Sequence, residues 1–384
     1  MAAPRSVPRA AWRLAARGVL VVLALVAVGC TDDEPSPTDR ADGPLAGICP
    51  DPLVIQTDWY PEAEHGSVYH LLDRDDIRIE TDTMRVTAPM VASGEPMGVD
   101  LQVRAGGPAI GFSQVAAQMH ADPDILLGLV GTDEAIQTNS RFPTVAVVAP
   151  LEINPQMIMW DPETYDVDTI AELPDDTVIN VFGPDAHLDH LVDRGIVDRD
   201  QLDGGYTGTP ARFVAADGTI AQQGFATADP YSYEHLIDEW GRPVRFQLIH
   251  DTGWEVYAQA LAARPDAIDD HADCLDELVP TIQQAIVGYV TEPSATNALI
   301  ADLADRYDDE WVYEEELADW SVDQQRLLGI VGNGPDDTVG NFDLERVQGV
   351  LDTAVPLMEI GHDLTPQDLV TNRFIDPGIG LPSG

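Results

Sequence analysis

A short segment near the start of the chain combines a carboxylate, two aromatic rings and an imidazole. In Val54–His65, a short apolar run is followed by Asp58, Trp59 and Tyr60, and His65 ends the segment. Aromatic faces stack on flat rings, and carboxylates accept hydrogen bonds from amines. We therefore predict that Asp58, Trp59, Tyr60 and His65 line the floor of a small-molecule cleft. In the alternative interpretation, the two aromatic rings only fill a core.

Two further apolar runs end in residues that could face the same cleft. The alternating run Val99–Arg104 leads into a glycine loop that contains Gly107, and the apolar run Ile125–Val130 leads to Thr132 and Asp133. Ligands of open α/β sheets bind beyond the carboxyl ends of the strands, so these three residues are candidate ligand contacts. The glycine loop could equally be a tight turn, and Thr132 or Asp133 could simply cap a helix.

The order of the predicted elements indicates an α/β chain that forms two lobes. Further apolar strands are expected at Thr144–Pro150, Val178–Val181 and Val244–Ile249, and the pattern after His250 is helical. The residues of Arg212–Ala215 also show an alternating pattern, which is typical of a strand. We predict that residues 49–149 and 247–384 form the first lobe and that residues 150–246 form the second. Two crossing strands, near Val145–Ile153 and Val244–Asp251, would form the hinge, and a helical tail would follow.

The N-terminal segment has the pattern of an export signal. A basic stretch precedes the apolar run Gly18–Gly29, which is too short for a bilayer that needs about 20 residues. Ala27–Cys30 resembles a bacterial lipobox, which implies that residues 1–29 are removed and that Cys30 carries lipid. The acidic, proline-rich segment that follows is predicted to be a disordered tether, so residues 30–48 would link the lipid to the fold. An ordinary signal peptide with a coincidental cysteine is the alternative.

Lipidation of Cys30 would leave an even pair of cysteines, Cys49 and Cys274. In an oxidising compartment we predict that they form a disulfide that closes a very long loop. Two buried free thiols are the alternative.

The composition excludes several classes of function. The chain has 20 Lys and Arg residues against 67 Asp and Glu, with a net charge of −47, and no lysine at all. Such a surface repels nucleic acid. Without a lysine, no Schiff base can form with a cofactor such as pyridoxal phosphate. We therefore expect neither a nucleic-acid partner, nor a cofactor, nor an enzyme.

A metal site would need converging ligands, and the histidines do not supply them. His187 and His190 flank Asp189, whereas His271 lies near Cys274 more than 80 residues away. Zinc sites need three or four ligands, so we predict a solvated helix face at His187 and His190 and no metal.

Five segments resemble the lipoprotein substrate-binding components of ABC importers, in the branch of thiamine-pyrimidine-precursor, sulfonate, taurine and nitrate binders. They are Asp58–His65, Val130–Gln137, Gly208–Val214, Ala221–Tyr231 and Asn372–Pro382. The resemblance implies a type II periplasmic-binding-protein fold whose two lobes close on a ligand.

The resemblance also implies partners and further site residues. The partners would be a small-molecule ligand, a membrane permease and its ATPase, and the protein would be a monomer held at the extracytoplasmic face of the cell membrane. In the second lobe and the hinge, the resemblance implies Asn154, Tyr206, Thr227 and Asp229 as candidate ligand contacts.

One departure from the anion-binding members of that branch bears on the ligand. Where those proteins offer small hydroxyl residues at a second-lobe helix start, this chain has Gly183, Pro184 and Asp185. A carboxylate there would repel an anion, so we predict a neutral or cationic amino heterocycle such as a thiamine pyrimidine precursor. A sulfonate, taurine or nitrate binder of the same fold, a metal-binding lipoprotein and an adhesin are the alternatives.

Overall fold

The computed structural model describes residues 42–183, 185–307 and 312–382. The predicted signal peptide, the lipidation site Cys30 and most of the predicted tether lie outside the described residues. The described part of the tether, residues 42–48, is not disordered as predicted: it forms a turn, and Leu45 is fully buried. The Leu45 N–H donates to the carbonyl of Met97, so the packed fold begins before Cys49.

The first sheet has seven strands in the order β2-β3-β4-β1-β5-β12-β6. The central strand β1 pairs parallel with β4 and β5, whereas β12 runs antiparallel between β5 and β6. The bounds of these strands are β1 Leu53–Gln56, β2 Arg78–Glu80, β3 Arg85–Ala92, β4 Glu95–Arg104, β5 Ile125–Val130, β6 Val145–Val148 and β12 Ala260–Ala263. The carboxyl ends of β1, β4 and β5 therefore meet at one edge of this sheet.

The second sheet has five strands in the order β11-β7-β10-β8-β9. Strand β10 pairs parallel with β8 and antiparallel with β7. The bounds are β7 Gln156–Trp160, β8 Ile179–Asn180, β9 Leu202–Asp203, β10 Ala221–Phe225 and β11 Arg245–Leu248. The side chains of β7 from Met157 to Trp160 are fully buried, which fits a strand covered on both faces.

The chain passes between the two sheets twice. It leaves the first sheet after β6, crosses in residues 149–155 and builds the second sheet, then returns in residues 249–259 to add β12 to the first. The first crossing overlaps the predicted one. The second begins at the end of the predicted Val244–Asp251 and extends to residue 259, and the boundary predicted at residue 247 falls inside β11.

The helices cover both sheets, and a long helical region follows β12. Among the described residues no helix combines the length and the apolar character that a membrane span requires. The bounds are α1 Gly66–Tyr69, α2 Val115–Ala121, α3 Thr132–Thr138, α4 Ala186–Asp193, α5 Ala211–Ala215, α6 Asp229–Tyr231, α7 Pro265–Asp270, α8 Ala272–Thr291, α9 Ser294–Tyr307, α10 Glu315–Leu327 and α11 Leu344–Leu357.

Helix α8 is the main support of the first sheet. Its buried side chains recur at three- and four-residue intervals from Cys274 to Val290, which is the spacing of one helix face. Cys274 forms a disulfide with Cys49, and their Cα atoms are 4.9 Å apart. The segment just before β1 is thereby bonded covalently to this helix.

Three local predictions are wrong. The alternating residues Arg212–Ala215 lie in helix α5, and the chain after His250 is not purely helical because it first forms β12. His187 and His190 do not lie on a solvated helix face: they are 1% and 2% exposed, on the side of α4 that packs into the fold.

Candidate functional site

Trp59 lies beyond the end of β1 and is held by the glycine loop that follows β4. Gly107 has a φ of 56°, and a Cβ atom there would lie 2.5 Å from Cε3 of the Trp59 ring. Any larger residue would displace the indole, so a glycine at position 107 lets Trp59 keep its place. The Trp59 ring is partly buried, and its centroid is 6.0 Å from that of Tyr60 and 6.0 Å from that of Phe112. Tyr60 is only 4% exposed and packs in the core, as the alternative interpretation proposed.

Asp58 and His65 form the first polar contact of the site. His65 Nε2 lies 2.8 Å from Asp58 Oδ1 and 3.5 Å from Glu62 Oε1, and the His65 side chain is fully buried. The Gln259 amide nitrogen donates to the same Glu62 oxygen at 3.3 Å. Burial, with the nearby charges of Glu64 and Asp58, raises the pKa of Glu62 well above its usual range.

Glu64 connects the ends of the two sheets. Its carboxylate accepts a hydrogen bond from the hydroxyl of Thr227, which follows β10 in the second sheet. Thr227 is fully buried and Glu64 is 5% exposed. Burial raises the pKa of Glu64, although the Thr227 hydroxyl acts in the opposite direction. The strand ends of the two sheets are therefore in direct contact through Thr227, which stays a predicted ligand contact.

Asp133 and Glu134 begin helix α3 after β5. Asp133 Oδ1 accepts from the Glu134 N–H at 2.9 Å, and Glu134 Oε1 accepts from the N–H of Ala116 at 3.0 Å. Burial raises the pKa of Asp133 to about 6, with a further contribution from the charge of Asp185. Burial likewise raises the pKa of Glu134 to about 7.

Asp185, which belongs to the second-sheet region, has a carboxylate whose negative charge acts on Asp133. It precedes α4, and its Oδ1 lies 3.0 Å from His187 Nδ1. The His187 ring is buried, and its Nε2 has no hydrogen-bond partner among the described residues. Although burial acts in the opposite direction, the His187 imidazole and the backbone N–H groups of Ala186 and His187 lower the pKa of Asp185.

Thr132 and Asn154 serve the crossings instead of the cleft. Thr132 does not cap α3, which begins after Gly131. Its N–H donates to the carbonyl of Tyr257 at 3.0 Å, and its hydroxyl accepts from the Tyr257 N–H at 3.0 Å. Asn154 Oδ1 accepts from the Gln156 N–H at 2.9 Å within the first crossing. Both side chains fix the hinge backbone.

Tyr206 and Asp229 lie on the second sheet near Phe182. The Tyr206 ring is half-buried and its centroid is 4.5 Å from that of Phe182. Asp229 begins α6 and its Oδ2 accepts from the Phe225 N–H at 2.7 Å. Burial raises the pKa of Asp229 to about 6, and burial with the charge of Asp229 raises that of Tyr206.

Sequence reasoning did not identify several residues that complete this region. They are Glu62, Glu64, Phe112, Phe182, Glu134 and Gln259. Two acids within an eight-residue segment beside Trp59 were a visible signal for Glu62 and Glu64. No sequence pattern distinguished Phe112, Phe182 or Gln259, because their roles depend on which loops the fold brings together.

The region is strongly anionic. Carboxylates from both sheets converge on it, and no arginine of the described residues forms an ion pair with any of them. Their nearby basic groups are the imidazoles of His65 and His187. The set is Asp58, Glu62, Glu64, Asp133, Glu134 and Asp185. Within the described ranges, no group of three or more potential ligands has an arrangement that could hold a metal ion.

Three solved structures that share this fold resemble the chain only distantly in sequence. The aliphatic sulphonate-binding protein of Escherichia coli aligns over 81% of this chain and 93% of its own, at 16% identity and a TM-score of 0.52. The alkanesulfonate-binding protein of Xanthomonas axonopodis pv. citri, bound to MOPS, aligns over 83% and 96%, at 12% identity and a TM-score of 0.50. The zinc-bound ligand-binding component of an ABC-type import system from Staphylococcus aureus aligns over 84% and 97%, at 11% identity and a TM-score of 0.50.

These likenesses identify the class of fold. The predicted two-lobed α/β fold of periplasmic binding proteins is confirmed, and so is the predicted resemblance to binding components of ABC importers at the level of the fold. No family model matches the sequence, and no curated protein matches it.

Proposed function

We propose that this protein is the solute-binding component of an ABC importer. It captures a small organic molecule between two lobes and does not convert it chemically. The observation that carries the proposal is the meeting of strand ends from two sheets, at which Thr227 of one sheet bonds to Glu64 of the other beside Trp59. A ligand that contacts both lobes would favour the closed arrangement over the open one.

The proposal also includes a membrane anchor, a permease partner and two lobes that move relative to each other. Lipidated Cys30 would anchor the protein at the extracytoplasmic face of the membrane through residues 30–48, and the closed form would dock as a monomer on a permease driven by an ATPase. Residues 49–149 and about 249–384 would move as one lobe and residues 150–248 as the other.

For the ligand we favour an amino heterocycle of the thiamine-pyrimidine-precursor kind. Trp59 offers a face for stacking, and the carboxylates Asp58 and Asp133 offer acceptors for exocyclic amines. Sulfonate, taurine or nitrate is the alternative that the fold neighbours suggest. The carboxylates at this site favour the amine, because ionised groups such as Asp185 would repel the negatively charged oxygens of a sulfonate or nitrate.

Ligand screening by thermal denaturation tests the proposal. The panel contains aminopyrimidines, sulfonates, taurine, nitrate and polyamines. A true ligand at 100 times its Kd adds about 2.7 kcal/mol to the free energy of unfolding. If the protein is an adhesin or another structural surface protein, no solute in the panel will raise the melting temperature, and the proposal fails.

Replacing Trp59 tests its place in the site. Trp59→Ala should abolish binding of the identified ligand in calorimetry, because the stacking surface is lost and Gly107 then faces an empty space. Leu327→Ala is the matched control: Leu327 is 75% exposed at the end of α10 and should leave affinity unchanged. Unchanged affinity in Trp59→Ala would remove Trp59 from the binding site.

A further inference from the structure

A cavity of about 570 Å³ opens on the first lobe, at the edge of its sheet opposite the candidate ligand site. Its walls come from the end of α1, the turn between β3 and β4, helix α8 and the C-terminal segment. Strand β4 runs for ten residues from that turn to Arg104 at the other edge of the sheet, a span of about 30 Å. All the described residues that line the cavity belong to the first lobe, so binding here does not require the two lobes to close.

The C-terminal wall of this cavity is fastened by two amide side chains. Gln283, which is fully buried, accepts from the Asp376 N–H at 2.9 Å and donates to the Asp376 carbonyl at 3.2 Å. Asn333 accepts from the Leu381 N–H at 2.6 Å and donates to the Leu381 carbonyl at 3.0 Å. Residues 378–380, which form the wall between these two points, therefore cannot collapse into the cavity without breaking these bonds.

The imidazole of His70 has one nitrogen fixed by its neighbours. The guanidinium of Arg74 donates to the hydroxyl oxygen of Thr296 at 2.7 Å, and that oxygen lies 2.9 Å from His70 Nδ1. An arginine can only donate, and the hydroxyl has no other partner in the described part of the chain, so its hydrogen is donated to Nδ1. Burial and the positive charge of Arg74 lower the pKa of His70. The ring is therefore neutral at pH 7 and carries its own hydrogen on Nε2.

The other nitrogen of His70 supplies a free donor at the cavity wall. His70 and Gly288 both line the cavity, and a Cβ atom at Gly288 would lie 2.9 Å from Nε2. A glycine at position 288 thus leaves room for this edge of the ring. Within the described ranges no hydrogen bond is made by Nε2. The half-buried imidazole therefore offers an N–H to whatever enters the cavity.

The remaining lining is apolar at the floor and neutral at most of the rim. Leu71 and Ala285 are buried, whereas Gln284 is an exposed neutral side chain. Glu292 is exposed at the rim, and its negative charge acts on His70. The described lining residues thus provide a donor and an apolar floor but no positive charge, and Glu292 repels anions.

We infer that this cavity is a second binding site, which takes an uncharged molecule that carries a carbonyl group on an apolar body, as a capped peptide does. The carbonyl oxygen accepts from His70 Nε2–H, and the apolar body lies against Leu71 and Ala285. Cavities of this size hold small molecules. A neutral carbonyl compound is suited to this one because its strong acceptor keeps a hydrogen bond when it leaves water.

Three acetylated probes separate the apolar body from charge: N-acetylleucinamide, N-acetylglycinamide and N-acetylleucine. Each is titrated by calorimetry into the full-length chain in detergent. N-acetylleucinamide should bind about tenfold or more tightly than N-acetylglycinamide, because only the former buries an isobutyl group. N-acetylleucine, an anion at neutral pH, should not bind.

Two variants disable the site by different means. His70→Phe keeps a flat ring but removes the donor, and it should weaken binding of N-acetylleucinamide about tenfold. Thr291→Trp adds bulk at an exposed position of α8 that lines the cavity, and it should abolish binding without altering the core. The control Glu316→Gln, at an exposed position of α10, should bind as the wild type does.

NMR spectra locate the bound probe. N-acetylleucinamide should shift the amide resonances of Gly288 and Gly378 and leave the indole N–H of Trp59 unchanged. A shift at Trp59 alone, an affinity unaffected in both variants, or no binding of N-acetylleucinamide overturns the second site. Equally tight binding of N-acetylleucine overturns the uncharged class of ligand. The proposed importer role stands or falls separately, because it depends on the cleft between the lobes.

Discussion

The buried carboxyl groups of Asp133 and Glu134 make the free energy of unfolding depend on pH. Both are held by burial in an environment that favours the protonated form, with pKa values of about 6 and about 7. In the unfolded chain they would titrate near 4. Between about pH 4 and about pH 7 the folded state therefore binds more protons than the unfolded state, and stability from these groups falls as the pH rises through that window.

Glu134 allows this dependence to be measured. Glu134→Gln keeps an acceptor for the Ala116 N–H but does not ionise. When the pH rises from about 5 to about 8, the free energy of unfolding should therefore fall by about 1–3 kcal/mol less in the variant than in the wild type. Chemical denaturation at both pH values provides the measurement. The control Glu316→Gln, at an exposed position on α10, should follow the wild type. Parallel pH profiles for the wild type and Glu134→Gln would contradict the burial of an uncompensated carboxyl.

For individual residues, the sequence showed which side chains follow the ends of strands better than it showed what those side chains contact. Asp58, Trp59 and His65 were identified because an apolar run ends just before them, and the structure places Asp58 against His65. Thr132 carried the same strand-end signal, yet its hydroxyl is bound to the second crossing. A strand-end position does not reveal which way a side chain turns, since that depends on a segment more than 100 residues away.

At the scale of elements, the two crossings are held by the first turn of α11. Arg346 Nη1 lies 2.9 Å from Glu152 Oε1 in the first crossing, and Arg346 Nε donates to the Glu255 carbonyl in the second at 2.6 Å. Its guanidinium also lies 3.8 Å from the centroid of the Tyr257 ring. One arginine thus connects both segments about which the lobes would move.

Removing this arginine should destabilise the protein and change its closure. Arg346→Ala leaves Glu152, which is 21% exposed, without its partner, and should cost about 3 kcal/mol in the free energy of unfolding. Arg199→Ala breaks an exposed pair on the second lobe, with Asp189, and should cost under about 1 kcal/mol. Denaturant titration compares the two. An equal and small loss in both variants would show that Arg346 does not fasten the crossings.

Long helices, which repeat their buried face over many residues, were predictable from the sequence, whereas short helices and strands were not. Helix α8 has a buried face over 20 residues, and it lies within the region after His250 for which the sequence predicted helices. The four residues of β12 and the five of α5 are too short for a period to be recognised. Their conformation is set by neighbours, since β12 fits between β5 and β6 while α5 covers the second sheet.

For the whole molecule, the net charge of −47 is the dominant electrostatic feature. Some of the acidic side chains form ion pairs with arginine. The remaining negative charges across the surface repel one another and oppose compaction. The composition made this predictable without any knowledge of the fold. It did not show that six of the acids would lie close enough to influence one another's pKa values.

Salt should therefore stabilise this protein. From about 0.01 M to about 1 M NaCl the Debye length falls from about 30 Å to about 3 Å, which screens repulsion between surface carboxylates. We expect the melting temperature to rise by several degrees over that range, and an osmolyte such as sucrose serves as the uncharged control. A melting temperature that is flat or falls with NaCl would mean that carboxylate repulsion is not a major cost of folding.

The bond between Cys49 and Cys274 has a mechanical consequence. A pull along the chain ahead of Cys49 is divided between β4, through the hydrogen bond from Leu45 to Met97, and helix α8, through the sulfur atoms. Strand β1 begins only four residues after Cys49 and lies behind both attachments. Tension at the leading end of the protein therefore reaches the first sheet and its supporting helix before it reaches the segment that carries Trp59.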